Sequence, residues 1–491
     1  MTGPGTQRAG SSLWRHRDFL LLWGGQSVSE LGSAVTLLAL PLTAVVALRA
    51  STFQVGALTS AVNAAFLVVA LPAGAVVDRL AKRRLMLWCD AARMLVIGSI
   101  PVTAALGVLT MAQLYAVALL SGLGTVFFDV AYQSYLPELI GREHLVDGNG
   151  KLQTTAEGAR LGGPGLGGAL VGLAGAATAM AADAASFAVS VASLLLIRAR
   201  ATAPEPASQA APRARLRTEV MAGLSFVLRE PILRKIVACT GTSNLFGGVT
   251  IALQIIFLVR VLRVPPAYTG VVVALSAVGG IAGGVLSGWL ARWFGSARII
   301  WVSILGVGAG GILVPFATPG WGVVLFVLGW GSFSFSGVVY NVAQVSYRQA
   351  VCPPELLGRM NAAVRWIVWG TIPLGGLLGG ALGSMLGIRP ALAVGAIGGW
   401  AGGLWVFFSP LRRMRDVPPP GTYPLPAGRQ SPVPPAGVAP EPAPENLTGA
   451  GARAKRPQPV PGPEFLSPLP GPPPPDPLPP GGPGTRPRPR P

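Results

Sequence analysis

Eight ionisable side chains stand inside stretches of this 491-residue chain that are otherwise apolar: Glu30, Asp90, Arg93, Asp129, Glu157, Arg160, Asp183 and Arg365. A charge in such a setting is costly, and by default it marks functional chemistry. Asp90 with Arg93, and Glu157 with Arg160, are three positions apart, so each pair can neutralise itself on one helix face. Glu30, in GGQSVSELGS, has no cation three or four positions away and lies near the middle of its stretch. A lone carboxylate there is suited to taking up and releasing a proton; the alternative is a hydrogen-bonded Glu that only shapes a cavity. Arg365 would tie Glu30 up as an ion pair if it reached it. Asp129 is expected two turns from the end of its stretch, in reach of the basic cluster near Arg79, and Asp183 near the opposite end, where it meets water. Between Leu233 and Leu411 the only acid is Glu355, in a loop. A proton-carrying carboxylate is therefore expected in the first half, at Glu30, Glu157 or Asp129. Uncharged groups suited to a cavity for amphipathic molecules are Gln26, Ser29, Asn63, Asn244, Gln254, Tyr340, Asn341, Gln344 and Trp366, with Arg365 beside them. The amides serve equally well for bonding between helices.

The elements that hold these groups must cross a membrane. Apolar residues make up 51% of the chain and charged ones 12%, against roughly 25% charged in an average soluble protein. A spanning helix needs ~20 mostly apolar residues, and such runs occur at 19–48, 54–77, 85–108, 112–136, 150–175, 178–198, 236–259, 267–291, 298–316, 321–346, 360–386 and 390–409. They must be helices, because lipid offers the backbone no hydrogen-bond partner. The first run is too long for a cleavable signal core. Arg15, Arg17, Arg79, Lys82, Arg83, Arg84, Arg142, Lys151, Arg292, Arg298, Arg348 and Arg359 fall at one set of run ends, and that set is expected to be cytoplasmic, with both termini. The net charge of +19 therefore reports membrane orientation and not a nucleic-acid surface. Three cysteines and two histidines are too scattered for a metal centre or disulfide framework. No nucleotide loop and no nucleophile–His pair is present, which argues against a membrane enzyme. No cofactor and no obligatory protein partner is implied.

The chain repeats itself. GAVVDRLAKRR begins at Gly74 and GWLARWFGSAR at Gly288. GPGLGGAL carries Gly167–Gly168 and PLGGLLGGAL carries Gly379–Gly380. PELIGR (137–142) recurs as PELLGR (354–359), each expected just after the fourth helix of its half. Three matches in order, at nearly constant offset, indicate two duplicated six-helix halves.

With these motifs the chain resembles the major facilitator superfamily over about residues 12–412, and within it the macrolide-efflux and enterobactin-exporter branch. GAVVDRLAKRR is similar to the superfamily's loop signature, which implies a gating role for Gly74, Asp78, Arg79, Lys82 and Arg83. Ala81 stands where the family usually has Gly, so the turn there is expected to differ. In the second copy Ala291 and Arg292 stand where the acid would be. Gly163, Pro164, Gly167 and Gly168 resemble the helix-5 motif associated with antiporters, and Gly280, Gly284 and Gly288 on the eighth run offer a stripe for them to pack on.

The expected fold is an all-α membrane protein of twelve transmembrane helices in two pseudo-symmetric halves. The expected organisation is a cytoplasmic segment 1–18, a six-helix half 19–198, a linker 199–235 with a short amphipathic helix, a second half 236–409 and a Pro-rich tail 410–491. The expected activity, in the plasma membrane, is proton-coupled export of a small amphipathic molecule (a drug, natural product or siderophore). An uncoupled facilitator or importer, or a transport-dead scaffold acting through its tail, stand as alternatives.

Overall fold

A computed structural model describes residues 13–77, 80–141, 144–198, 224–352 and 354–417, and no strand occurs among them. The first half contains α1 (Arg17–Val46), α2 (Thr52–Val77), α3 (Lys82–Ala105), α4 (Met111–Ile140), α5 (Leu145–Ala174) and α6 (Ala176–Leu196). The second contains α7 (Pro231–Ile256, continued by a π-helical turn Phe257–Val261), α8 (Pro266–Phe294), the broken α9 (Ile299–Leu305, then a 3-10 stretch Val307–Phe316), α10 (Val323–Val351), α11 (Pro354–Met385) and α12 (Ile388–Ala401). Ten spans among the described residues are long and apolar enough to cross a membrane by length and composition. α5 is not one of them despite its 30 residues, because its first half carries Asp147, Lys151, Glu157 and Arg160. Helix starts are set locally. The Thr110 hydroxyl accepts from Gln113 N and caps α4, and Pro231 and Pro266 occupy first-turn positions where no amide donor is needed.

The duplication is written in the backbone. Within the first half α1 packs on α5 and α6, α2 on α4, and α3 on α4 and α6; the same five pairings recur six helices later. Arg49 (φ 50°) and Arg263 (φ 54°), 214 positions apart, are the only non-glycine residues with positive φ among those described. Around them the same bonds form: Ala50 N donates to Ala44 O and Val264 N to Leu258 O, both at 2.9 Å. Gly107 with Gly320, and Gly175 with Gly387, continue the correspondence at left-handed turns. Gly295, with φ 96°, has as its counterpart Ala81, with φ −67°, so the turn where Gly was missing does differ.

The hexapeptide repeat behaves otherwise. Pro137–Ile140 forms the last turn of α4, whereas the second copy opens α11 at Pro354. The two copies are 217 positions apart, and the remaining correspondences 212–214, so the extra residues displace the second copy across the loop. The two copies do not occupy equivalent places. Of the expected cytoplasmic helix at 216–229, residues 224–229 are helical. Residues 1–12, the 199–223 linker segment and the tail from 418 lie outside the described residues.

Two seams join the halves, α2 against α11 and α5 against α8, and the internal symmetry exchanges them. A Cβ on Gly56 would lie 2.6 Å from Gly380 Cα, and one on Gly168 would lie 2.8 Å from Gly270 Cα, so only glycine fits at either crossing. Ser60 Oγ donates to Pro373 O at 2.8 Å and Arg260 Nη2 to Ala50 O at 2.6 Å. All these contacts lie in the part of the bundle away from the chain termini. At the termini end, bonds within each half include Arg198 N donating to Asp18 Oδ1 at 3.3 Å and Ala297 N donating to Arg415 O at 3.0 Å.

Candidate functional site

Below the sealed end lies a cavity of about 820 Å³, lined by the second half and by one helix of the first, α5. Its charged lining is Glu157 and Arg160. Arg160 Nη1 stands 3.5 Å from Glu157 Oε1, which also accepts from Gln153 Nε2 at 2.8 Å. Both side chains are at least half exposed to the space. Facing them are the aromatic groups Trp330, Phe333, Trp369 and Trp400, with glycines of α8, α9 and α12 supplying room between. This is a mostly apolar wall with few polar fixings, the composition of a small-molecule site.

The expected cavity residues divide. Asn244, Tyr340 and Asn341 line the cavity. Asn244 Nδ2 donates to Val368 O at 3.0 Å, and Tyr340 shares a 2.6 Å bond with Thr240 Oγ1, so both also tie helices together. Gln344 is buried behind the wall, donating to Asn341 Oδ1 at 2.9 Å. Trp366 instead bridges the halves, donating to Leu67 O at 3.2 Å. Asn63 Nδ2 bonds its own helix at Thr59 O, and neither it nor Gln26 nor Gln254 is part of the lining. The Arg365 side chain lies outside the described residues. Thr240, Ser336 and the four aromatic residues were missed, because a search for polar groups in apolar helices passes over the rings that form the walls.

The acids are also redistributed. Glu30, half-buried, accepts from Gln26 Nε2 at 3.0 Å, so it has a partner one turn away, though an amide and not a cation. The deepest acids are Asp90 and Asp183, both fully buried. Asp183 is not near water: Thr36 of α1 donates to one oxygen and Ser186 to the other at 3.1 Å. Proximity to a helix end misled here, because α1 covers that face of α6. Asp90 pairs with Arg93 as its spacing implied, and Ser190 Oγ donates to its second oxygen at 2.6 Å. The Arg93 guanidinium also bonds Thr125 Oγ1 at 3.1 Å and lies over the Phe128 and Phe187 rings, at 5.0 and 4.3 Å from their centroids. One charge pair thus ties α3, α4 and α6 together. Asp129 is exposed on α4, about three turns from its end.

Of the loop signature, Asp78 and Arg79 lie outside the described residues, and Gly74 is within α2. Lys82 pairs with Glu138 of α4. Arg83 donates to Leu194 O at 2.8 Å and Leu195 O at 3.0 Å, capping the C-terminus of α6 as a cation does well.

The antiporter-like glycines face two ways. Gly163 and Gly167 pack on α1, at Ala34 and at Val35 and Leu38. Pro164, Gly168 and Gly172 meet α8 at Ala267 and Gly270. The expected partners Gly280 and Gly284 instead face Ser334 and Val338 of α10 and line the cavity, and Gly288 approaches only Arg292 of its own helix. A step of one residue turns a helix by about 100°, which is enough to send adjacent small residues to different neighbours.

Two six-helix halves, sealed together at one end over a cavity, define a major facilitator transporter, a multi-pass membrane protein and not an enzyme. Comparison with known proteins agrees. The chain belongs to the MFS_3 family, described as "Transmembrane secretion effector", which matches residues 10–427. It is 24% identical over 373 residues to the multidrug efflux pump Tap of Mycolicibacterium fortuitum, covering 73% of this chain and 87% of that one. To the enterobactin exporter EntS of Salmonella typhimurium it is 25% identical over 383 residues, covering 75% and 87%. Among solved structures it is similar to the nucleoside transporter NupG (TM-score 0.63, 15% identity, 79% of this chain and 98% of that one). It is also similar to a bacterial homologue of the iron transporter ferroportin in an inward-facing state (TM-score 0.60, 18% identity, 81% and 99%). These structural likenesses speak to the fold.

Proposed function

We propose that this transporter exports small, partly apolar molecules in exchange for protons, alternating which end of the bundle is sealed. The termini face the cytoplasm on this reading, so the structure is the state open toward the cytoplasm. The observation that carries the reading is the cavity itself, aromatic on one wall and bearing the Glu157–Arg160 pair on the other. Efflux relatives support export, and the helix-5 motif supports exchange. Among the acids proposed for proton coupling, Glu157 takes the leading place, because it faces the cavity, where a substrate and a proton can compete for it. Glu30 and Asp129 are the second and third. Gly74, Asp78, Arg79, Lys82 and Arg83 serve the gate on this reading. Inside-out vesicles with an imposed proton gradient, acidic inside, test it against a panel of aromatic amphipaths. Accumulation that collapses with a protonophore is expected. Accumulation unaffected by the protonophore, or none above vesicles lacking the protein, overturns it.

A further inference from the structure

Helix α9 does not keep one form along its length. It is α-helical over Ile299–Leu305, turns at Gly306 (φ −82°, ψ −90°) and runs on as ten residues of 3-10 helix, Val307–Phe316. Its counterpart α3 is a single α-helix of 24 residues. Runs of 3-10 helix beyond about four residues are uncommon, because their hydrogen bonds are poorly aligned. A run of ten residues needs support from outside the helix.

The break frees carbonyl oxygens, and neighbouring side chains take them. In α geometry Leu305 O would accept from Ala309 N, but Ala309 N donates to Gly306 O at 3.2 Å instead. Leu305 O accepts from the indole Nε1 of Trp400, on α12, at 3.1 Å. Ser303 O accepts from Ser336 Oγ, on α10, at 2.8 Å. Backbone oxygens away from water must find such partners.

The repeat shows what stands at this place in the other half. At the offset of 213–214 that relates Gly107 to Gly320 and Ala81 to Gly295, 303–307 falls on the stretch of α3 bearing Asp90 and Arg93. There the ion pair ties α3 to α4 through Thr125 and Phe128, and to α6 through Ser190 and Phe187. In the second half the same junction, α9 with α10 and α12, is held by two neutral donors on two backbone carbonyls. Neutral hydrogen bonds are weaker than charge-assisted ones, so this junction is the easier to exchange. It also faces the cavity. Ile304, Gly308, Gly311 and Val314 of α9 line that space, as do Ser336 and Trp400, whereas Asp90 and Arg93 are not part of the lining.

We infer that Trp400 selects the molecules this cavity takes by a hydrogen-bond exchange at the α9 break, favouring flat aromatic molecules that carry a carbonyl or ether acceptor. The acceptor takes the indole N–H from Leu305 O. Ala309 N then passes from Gly306 O to Leu305 O, and each amide beyond it follows from its i−3 to its i−4 oxygen. No donor is left unpaired, which is the costly outcome. Ten residues span about 20 Å as 3-10 helix and about 15 Å as α-helix. Full conversion therefore shortens α9 by about 5 Å and shifts Gly308 and Gly311 along the cavity wall. An empty cavity keeps the break, and an acceptor-bearing occupant closes it. The inference names a substrate class for the proposed export and rests on reading this cavity as the substrate site.

The test measures α9 itself. Spin labels are placed at Arg298→Cys and Phe316→Cys, both exposed positions, in full-length protein in lipid nanodiscs, and their separation is read by pulsed dipolar spectroscopy. The three native cysteines are buried, so protein without the two substitutions is the labelling blank. Both labels sit on one helix, so rocking of the halves leaves their separation unchanged. Trp400→Phe keeps a ring and loses the donor, and is expected to shorten the separation by about 3–5 Å. The probes are fluorenone and fluorene, one flat skeleton with and without a carbonyl. With Trp400 in place, saturating fluorenone is expected to shorten the separation by the same amount and fluorene to leave it unchanged. A separation in Trp400→Phe equal to that with Trp400 in place would show that the indole does not hold the break, and overturns the inference. Equal separations with fluorenone and fluorene overturn it too. Should Trp400→Phe fail to fold, the two probes decide alone. No gradient, proton or transport enters this measurement, so its failure is distinct from failure of the vesicle assay.

Discussion

Asp90 and Arg93 show what one pair of charges does to a helical half. Both are buried, and their remaining polar contacts are Ser190 and Thr125 with two aromatic rings. Removing one member leaves an uncompensated charge in the interior, at a cost of about 3–5 kcal/mol. Asp90→Asn should therefore lower the melting temperature of the purified protein sharply, and Asp90→Leu combined with Arg93→Met should recover most of the loss. Melting of Asp90→Asn at the wild-type temperature would show the pair to be dispensable. Glu157 makes a different prediction. Glu157→Gln should cut pH-gradient-driven efflux about tenfold or more while leaving downhill exchange of substrate, and Glu30→Gln should have the smaller effect, since Glu157 lines the cavity and Glu30 does not. If Glu30→Gln alone abolishes gradient-driven efflux, the leading role returns to it. The i,i+3 pairs were legible in the sequence because both partners lie on one helix. The Asp183 contact with Thr36 was not, because its partner is 147 positions away.

Between elements, the seams decide the outcome. Gly168→Leu forces a side chain onto the Gly270 backbone, and overpacking of this kind costs about 1–3 kcal/mol. It should disfavour the state sealed at the far end and block transport at normal membrane abundance. Gly162→Leu, where a Cβ would meet nothing within 4 Å, should transport normally. Gly163→Leu should instead loosen α1 from α5 and lower stability. A transporting Gly168→Leu would show that the α5–α8 crossing is not used. Arg260 adds a link the symmetry lacks, since its counterpart in the first half is Val46. Its bond to Ala50 O is part-buried, and its loss in Arg260→Gln is expected to cost about 1 kcal/mol, shifting the balance toward far-end opening about fivefold. Spin labels at Ser51 and Tyr268, on opposite halves, would report this as a larger long-distance fraction. An unchanged distribution would remove Arg260 from the gate. Helix positions were readable from runs of apolar residues, and glycine spacing announced close crossings. Which helix each glycine meets was not readable, because Gly167 and Gly168 differ by one residue and face different neighbours.

At the scale of the molecule, the repeat was the most informative feature of the sequence, and the structure extends its offset to the left-handed arginines Arg49 and Arg263. The PELIGR copies misled as to equivalent places because identical letters were weighed above the offset they broke. The central claim is that substrate leaving one way moves protons the other. Proteoliposomes loaded with an accepted substrate and a trapped pH dye, at equal pH on both sides, test it directly. On dilution into substrate-free buffer the account predicts that the lumen acidifies as substrate leaves, and that Glu157→Gln abolishes the signal while substrate still exits. Substrate efflux from wild-type protein with no pH change, or with an alkaline shift, would contradict it.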